Sequence, residues 1–168
     1  MKNGFVQLGD VSLTKGSLAW STPFWRSDGV TIKFDVIVNS ELTEEWHNLF
    51  HMTTTDANCC DPGDRVPVVL ANRDKYFYLS FGINGKGDYA VKYHYNLNQL
   101  YNIEFSQNKN SNGEAVYKIS VDGTIFHEVI NTTPKNFQSA KLYLSSPWSA
   151  SFAPHGTLSN LRIINGGK

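Results

Sequence analysis

Short runs of alternating apolar and polar residues, each closed by a turn signal, constrain this chain more than any other feature. Val30-Thr31-Ile32-Lys33-Phe34-Asp35-Val36 alternates without a break, and Tyr101-Asn102-Ile103-Glu104-Phe105 and Tyr117-Lys118-Ile119-Ser120-Val121 repeat the pattern. A period of two sends successive side chains to opposite faces of a strand, one face toward a core and the other toward water. Residues 75–81 oppose Phe77, Leu79 and Phe81 to Tyr76, Tyr78 and Ser80 in the same way. The pattern predicts further strands at 66–71, 89–93, 124–130, 141–144 and 157–164, with 5–8 and 11–13 near the start. Asp122-Gly123 and Asn84-Gly85-Lys86-Gly87 read as hairpin turns, and 108–113 as a polar hairpin loop.

One segment reads two ways. Leu42, Trp46, Leu49 and Phe50 have helical spacing behind a Ser40 cap, whereas a strand over 46–53 would put Trp46, Asn48, Phe50 and Met52 on one side. The all-β surroundings favour the strand. About a dozen short strands, with no helix–strand alternation, repeat or linker, predict one domain over residues 1–168: an all-β antiparallel sandwich of jelly-roll type. Its expected core holds Val30, Ile32, Phe34, Val36, Phe77, Leu79, Phe81, Ile103, Phe105, Ile119, Val121, Leu142, Leu144 and Leu161, with Trp20, Trp25 and Trp46 in the core or at its edge.

Charge removes several function classes. Lys and Arg total 15, as do Asp and Glu, so the formal charge is zero. A nucleic-acid binder needs a basic excess to replace phosphate counterions, and a membrane-surface binder needs a basic cluster. No apolar run is long enough to span a bilayer. The two cysteines are neighbours, Cys59 and Cys60. They can form a vicinal disulfide, remain thiols or pair between chains, but no long-range bridge is open to them. Met1–Phe5 carries no apolar leader core, which is also how a mature fragment of a secreted protein begins. Asn131-Thr132-Thr133 is a glycosylation sequon that suits secretion, and an extracellular location is the expectation.

Several landmarks in chain order carry a family likeness: Phe24-Trp25-Arg26, Trp46-His47-Asn48-Leu49-Phe50-His51-Met52-Thr53, Gly63-Asp64-Arg65-Val66-Pro67, Leu79-Ser80-Phe81-Gly82-Ile83-Asn84-Gly85, the phrase LNQLYNIEFSQ over 97–107 followed by YKISVDG over 117–123, Pro147-Trp148, and 156–163. Together they resemble the concanavalin A-like jelly rolls, especially laminin-G-like and galectin-like extracellular domains. The resemblance spans nearly the whole chain and implies the fold. It leaves function open, because the scaffold hosts lectins, glycosidases and adhesion modules.

The residues narrow that choice. The glycosidases of this fold place alternating carboxylates along one strand, and no Glu-x-Asp-x-Glu stretch occurs here. The galectin sugar motif is missing too, since His47-Asn48-Leu49-Phe50-His51 has the wrong spacing and no Trp precedes Gly-x-Glu. The expectation is a non-catalytic, lectin-like module for extracellular or cell-surface glycans. A protein-binding adhesion module is the alternative, and a glycoside hydrolase a remote third. The expected ligand contacts are Asp64, Arg65, Tyr78 and Trp148, with His51 and Asn84 joining if they point outward. Arg65 brings a planar hydrogen-bonding fork and the aromatics offer faces for a pyranose ring. Tyr76, Tyr93, His94, Tyr95 and His155 are further candidates for an aromatic platform. The loop 55–65 concentrates Asp56, Asn58, Asp61 and Asp64. That array suits a calcium ion held by Asp56, Asp61 or Asp64, or a solvated loop whose acids make side-chain turns. A Cys59–Cys60 disulfide would stiffen the loop and give it an apolar tip. The partner expected is a glycan or glycoprotein, with oligomerisation left open.

Overall fold

The computed structural model describes residues 4–9, 13, 15–26 and 28–166, so Val11 and Ser12 of the expected 11–13 strand lie outside the described residues. Among the described residues thirteen strands follow one another: β1 (Gly4–Leu8), β2 (Ser17–Thr22), β3 (Gly29–Val38), β4 (Trp46–Thr53), β5 (Val68–Asn72), β6 (Tyr76–Ser80), β7 (Ala90–His94), β8 (Leu100–Lys109), β9 (Ala115–Val121), β10 (Thr124–Asn131), β11 (Ala140–Leu144), β12 (Ala150–Ser151) and β13 (Gly156–Asn165). The six-stranded sheet runs β1-β13-β3-β8-β9-β10. The seven-stranded sheet runs β2-β11-β4-β5-β6-β7, with β12 added in parallel along β4. All other pairings are antiparallel. No helix occurs among the described residues.

The alternating runs explain the packing. Val30, Ile32, Phe34 and Val36 of β3 face inward beside Ile103 and Phe105 of β8 and Ile119 and Val121 of β9. Phe77, Leu79 and Phe81 meet them from the other sheet. Phe34 stands edge-on to Phe50 at 5.1 Å, and Phe81 lies 5.2 Å from Tyr117, so aromatic rings fill the gap between the layers. Such pairs add about 1 kcal/mol each beyond their burial. Every valine, isoleucine, leucine and phenylalanine expected in the core is in this cluster, Trp20 packs against it, and Trp25 is fully enclosed within it. At the Asp122-Gly123 hairpin both residues take positive φ, 51° and 80°, as a two-residue turn of this twist requires.

Strand β4 corrects the one-sided reading of residues 46–52. Its pairing with β5 shifts between Asn48 and Phe50, so Leu49 is an extra residue. A bulge of this kind exchanges the two faces beyond it. Phe50 and Met52 go to the core, whereas Trp46 and Asn48 lie on the outer face; Trp46 is therefore not a core residue.

Candidate functional site

The outer face of the seven-stranded sheet is where the chain collects its polar and aromatic groups. In register, β4 presents Trp46, Asn48 and His51, β6 presents Tyr76, Tyr78 and Ser80, and β11 presents Lys141 and Tyr143. Two loops fold back over this face. One runs from Thr54 to Arg65, the other from Ser145 to the start of β12 and carries Trp148.

Trp148 links the two loops through the strands between them. Its ring lies 5.0 Å from His51 and 5.9 Å from Tyr143, and it is 38% exposed. His51 is fully buried beneath it, with Nε2 2.7 Å from the carbonyl oxygen of Asp64. A carbonyl can only accept, so the imidazole proton sits on Nε2 and Nδ1 is an acceptor. No group among the described residues donates to Nδ1. Burial pushes the His51 pKa down to about 4, and the Arg65 charge opposes its protonation further. Tyr143 donates its hydroxyl to Asp56 at 3.1 Å, and Asp56 also pairs with Lys141. The hydrogen bond from Lys141 is the leading cause that holds the Asp56 carboxyl below the usual carboxylate range.

The loop of Trp148 is pinned from the other side by two buried histidines. His47 donates from Nδ1 to the carbonyl of Ser151 at 2.7 Å and accepts the Glu44 backbone N–H on Nε2 at 3.0 Å. The His155 ring stands 4.5 Å away, with Nδ1 3.1 Å from Ser40 Oγ. Burial, with the neighbouring His47, lowers the His155 pKa. Asn48, also fully buried, accepts the Ser146 backbone N–H at 2.8 Å, while its Nδ2 and Ser80 Oγ find no described partner. Buried polar atoms without partners are uncommon, and three of them gather on this face.

The expected site residues separate on this geometry. Trp148, His51 and the loop bearing Asp64 and Arg65 come together, although 83 residues separate Arg65 from Trp148 in sequence. Arg65 is half-buried and donates from Nε to the carbonyl of Asn58 at 3.0 Å. Tyr78 lies on the same face nearer β7, 5.4 Å from Trp46, with Tyr76 buried beside it under the Lys92 ammonium. Asn84 does not join. Its side chain accepts from Thr132 N at 2.7 Å and donates to the Ile130 carbonyl, which ties the β6–β7 turn to the end of β10. Tyr95 and His155 are buried rather than displayed. Tyr143, Lys141 and Asn48 belong to the site although the sequence reading did not single them out. Tyr143 is the outward position between Leu142 and Leu144, so its face was readable and its partners were not.

Two further expectations are corrected. Asp56, Asp61 and Asp64 form no calcium cage: Asp56 is tied to Lys141 and Tyr143, and the buried Asp64 carboxylate accepts from Thr55 Oγ1 and from the Asp61 backbone N–H at 2.8 Å. Asp64 thus closes the loop from within, its carboxylate bonded to Thr55 and the Asp61 backbone. Among the described residues the acid-and-sulfur group that does converge is Cys59, Cys60 and Asp88. The cysteines are disulfide-bonded to each other, at the tip of the loop. That tip lies flat on Gly87, where any Cβ would collide with the Cys60 carbonyl oxygen. The sequon fails for a similar reason. Asn131 is only 3% exposed, donates to Gln107 at 2.9 Å and accepts from Asn84 N, so its amide is spent inside the fold.

No protein-family model matches this sequence, and no curated protein matches it. Solved structures do resemble it. Trypanosoma rangeli sialidase superposes with a TM-score of 0.57 at 11% identity, over 84% of this chain and 21% of its own. The botulinum neurotoxin serotype D binding domain gives 0.57 at 6%, over 84% of this chain and 34% of its own. A heptameric SAP-like pentraxin from Limulus polyphemus gives 0.53 at 11%, over 87% and 67%. This chain therefore spans about a fifth of the sialidase and a third of the neurotoxin domain. At these identities the likeness is one of fold. With the two-sheet topology it makes the chain a concanavalin A-like jelly roll, the architecture its sequence resemblance implies.

Proposed function

We propose that this chain is a non-catalytic carbohydrate-binding module that recognises extracellular glycans or glycoproteins on the outer face of its seven-stranded sheet. The observation that supports it is the meeting of Trp148, Tyr143 and the Arg65 loop at one end of that face, drawn from three distant segments. A half-exposed indole gives a flat apolar surface for a sugar ring, the guanidinium supplies a donor fork, and Tyr78 extends the aromatic surface across the sheet. The acids nearby are poorly suited to catalysis, since Asp56 is held by a lysine and Asp64 is buried and fully bonded. Glycosidic cleavage needs two carboxyl groups flanking one bond. The vicinal disulfide fits an oxidising, extracellular compartment.

A glycan array run with and without a chelator tests the proposal. Binding to a defined glycan class is expected, unchanged by chelation because the loop aspartates hold no cage. Trp148→Ala should weaken that binding by about tenfold or more, equivalent to about 1.4 kcal/mol, and Arg65→Ala by several-fold, with both variants folded by thermal melt. A blank array under both conditions would replace the glycan with a protein ligand on the same face. Undiminished binding by both folded variants would move the site elsewhere.

A further inference from the structure

The opposite face of the sandwich holds a recess, about 150 Å³ in volume and lined by Lys33, Asp35, Asn102, Asn160 and Arg162. It exists because β13 is irregular. Pairing with β3 slips between Ser159 and Arg162, Leu161 turns into the core, and Asn160 takes φ 53° beside it. The bulge widens the outer face over β3 and aims Asn160 back across it.

The lining has a chemical polarity of its own. At its centre the Asp35 carboxylate accepts one hydrogen bond on each oxygen, from Asn102 Nδ2 at 2.5 Å and from Asn160 Nδ2 at 2.7 Å. Those bonds fix both amides, and each carboxylate oxygen keeps lone-pair capacity for another donor. Two cations stand side by side at the other end, because Arg162 pairs with Lys33 in the strand register. Lys33 has one loose acid, Glu104, at 3.8 Å, and Arg162 makes no ion pair with any described residue. No aromatic ring lines the recess. A ligand here would be held by charge and hydrogen bonds without stacking, the reverse of the face that carries Trp148.

We infer that this recess is a binding site for an acidic sugar residue, its carboxylate received by the Arg162 fork and Lys33 and its hydroxyls by Asp35, Asn102 and Asn160. A guanidinium takes a carboxylate through two parallel hydrogen bonds, whereas Asp35 and the amides supply acceptors and donors for vicinal hydroxyls. At about 150 Å³ the recess is smaller than a drug-sized pocket and suits one sugar unit. The inference is independent of the glycan site proposed on the other face.

The probe is a glucuronate-terminated disaccharide, titrated at millimolar concentrations against the isotope-labelled protein by amide NMR, beside its carboxyl-reduced neutral counterpart. Shifts are expected at residues 33, 35, 102, 160 and 162. Carboxyl reduction and Arg162→Ala should each weaken binding by about tenfold, and Trp148→Ala should leave it unchanged. If Arg162→Ala melts early, Arg162→Lys supplies the comparison, keeping charge and stem while losing the fork, and should bind several-fold more weakly. Absence of shifts at these residues overturns the inference. So does equal binding of the neutral sugar, indifference to both Arg162 variants, or loss of binding in Trp148→Ala.

Discussion

The two outer faces of this sandwich are built on different terms. On the six-stranded sheet β3, β8 and β9 alternate buried with half-buried residues, and the outer face is open to water, with Lys33–Glu104 and Lys118–Glu128 along it. On the seven-stranded sheet every residue of β5, and every residue of β4 after Trp46, is buried. Two loops cover that face, and they bring Trp148 and Arg65 with them. Strict alternation therefore marks a face open to water, and its breakdown marks a face covered by other parts of the chain. The covered face shelters Asn48, His51 and Ser80, and polar groups are costly to bury without a structural or binding role.

The largest expected effect breaks the covered face directly. Val68 lies in register with His51 and Ser80 and is 1% exposed, so Val68→Lys would place an uncompensated charge under the loops. A loss of about 4 kcal/mol is expected in urea denaturation. Ser120→Lys on the open face, opposite Glu104, should stay within about 0.5 kcal/mol of wild type. A similar cost for both would mean that the loops do not seal the seven-stranded face.

Acid should separate the faces next. The pKa of His51 falls from 6.5 to about 4 on folding, and that of His155 is lowered as well. A base whose folded pKa is depressed leaves stability intact above 6.5. Below that the unfolded chain takes up protons that the fold refuses, and stability falls until the folded group titrates. For His51 this amounts to about 3 kcal/mol between pH 6.5 and 4, and His155 adds in the same direction. His51→Gln should flatten the pH dependence of urea midpoints across that window. Hydrogen exchange at pH 5 should rise first in residues 54–65 and 145–155, and last in β8 and β9. Uniform loss of protection would contradict the comparison.

This division also decides what the sequence could disclose. The open sheet and the core were legible, because Val30–Val36, 101–105 and 117–121 repeat one period and Phe77, Leu79 and Phe81 complete it. The covered face was legible only in part. Arg65 and Trp148 were recognisable by chemistry, yet their meeting depends on two loops folding over His51, a long-range event that no local pattern records. The β4 bulge hid the outward place of Trp46, since a single extra residue at Leu49 reverses the faces without altering composition. Asp64 and Asn131 misled for another reason. Their residue types advertised a ligand and a glycan, and their burial put them to work holding loops.

The smallest effect is the sharpest control, because a lysine–carboxylate pair on one face can be matched with a pair of nearly equal accessibility on the other. Lys141–Asp56 has side chains 41% and 48% exposed, and Lys118–Glu128 has 39% and 49%. Pairs this wet contribute little to stability and fade with added salt. Asp56→Asn suits its site, since Asn tolerates the left-handed φ of 59° and keeps an oxygen for the Tyr143 hydroxyl. Asp56→Asn and Glu128→Gln should therefore cost the same small amount, and both costs should vanish at high ionic strength. Ligand affinity should hold within about twofold in each, because stacking on Trp148 and the fork of Arg65 do not need the Asp56 charge. A selective stability loss in Asp56→Asn, persisting in salt, would show that the loop stays on the sheet through this ion pair. A selective loss of affinity would instead make Asp56 itself a ligand contact, and the Tyr143 bond a consequence of an empty site rather than a support for Trp148.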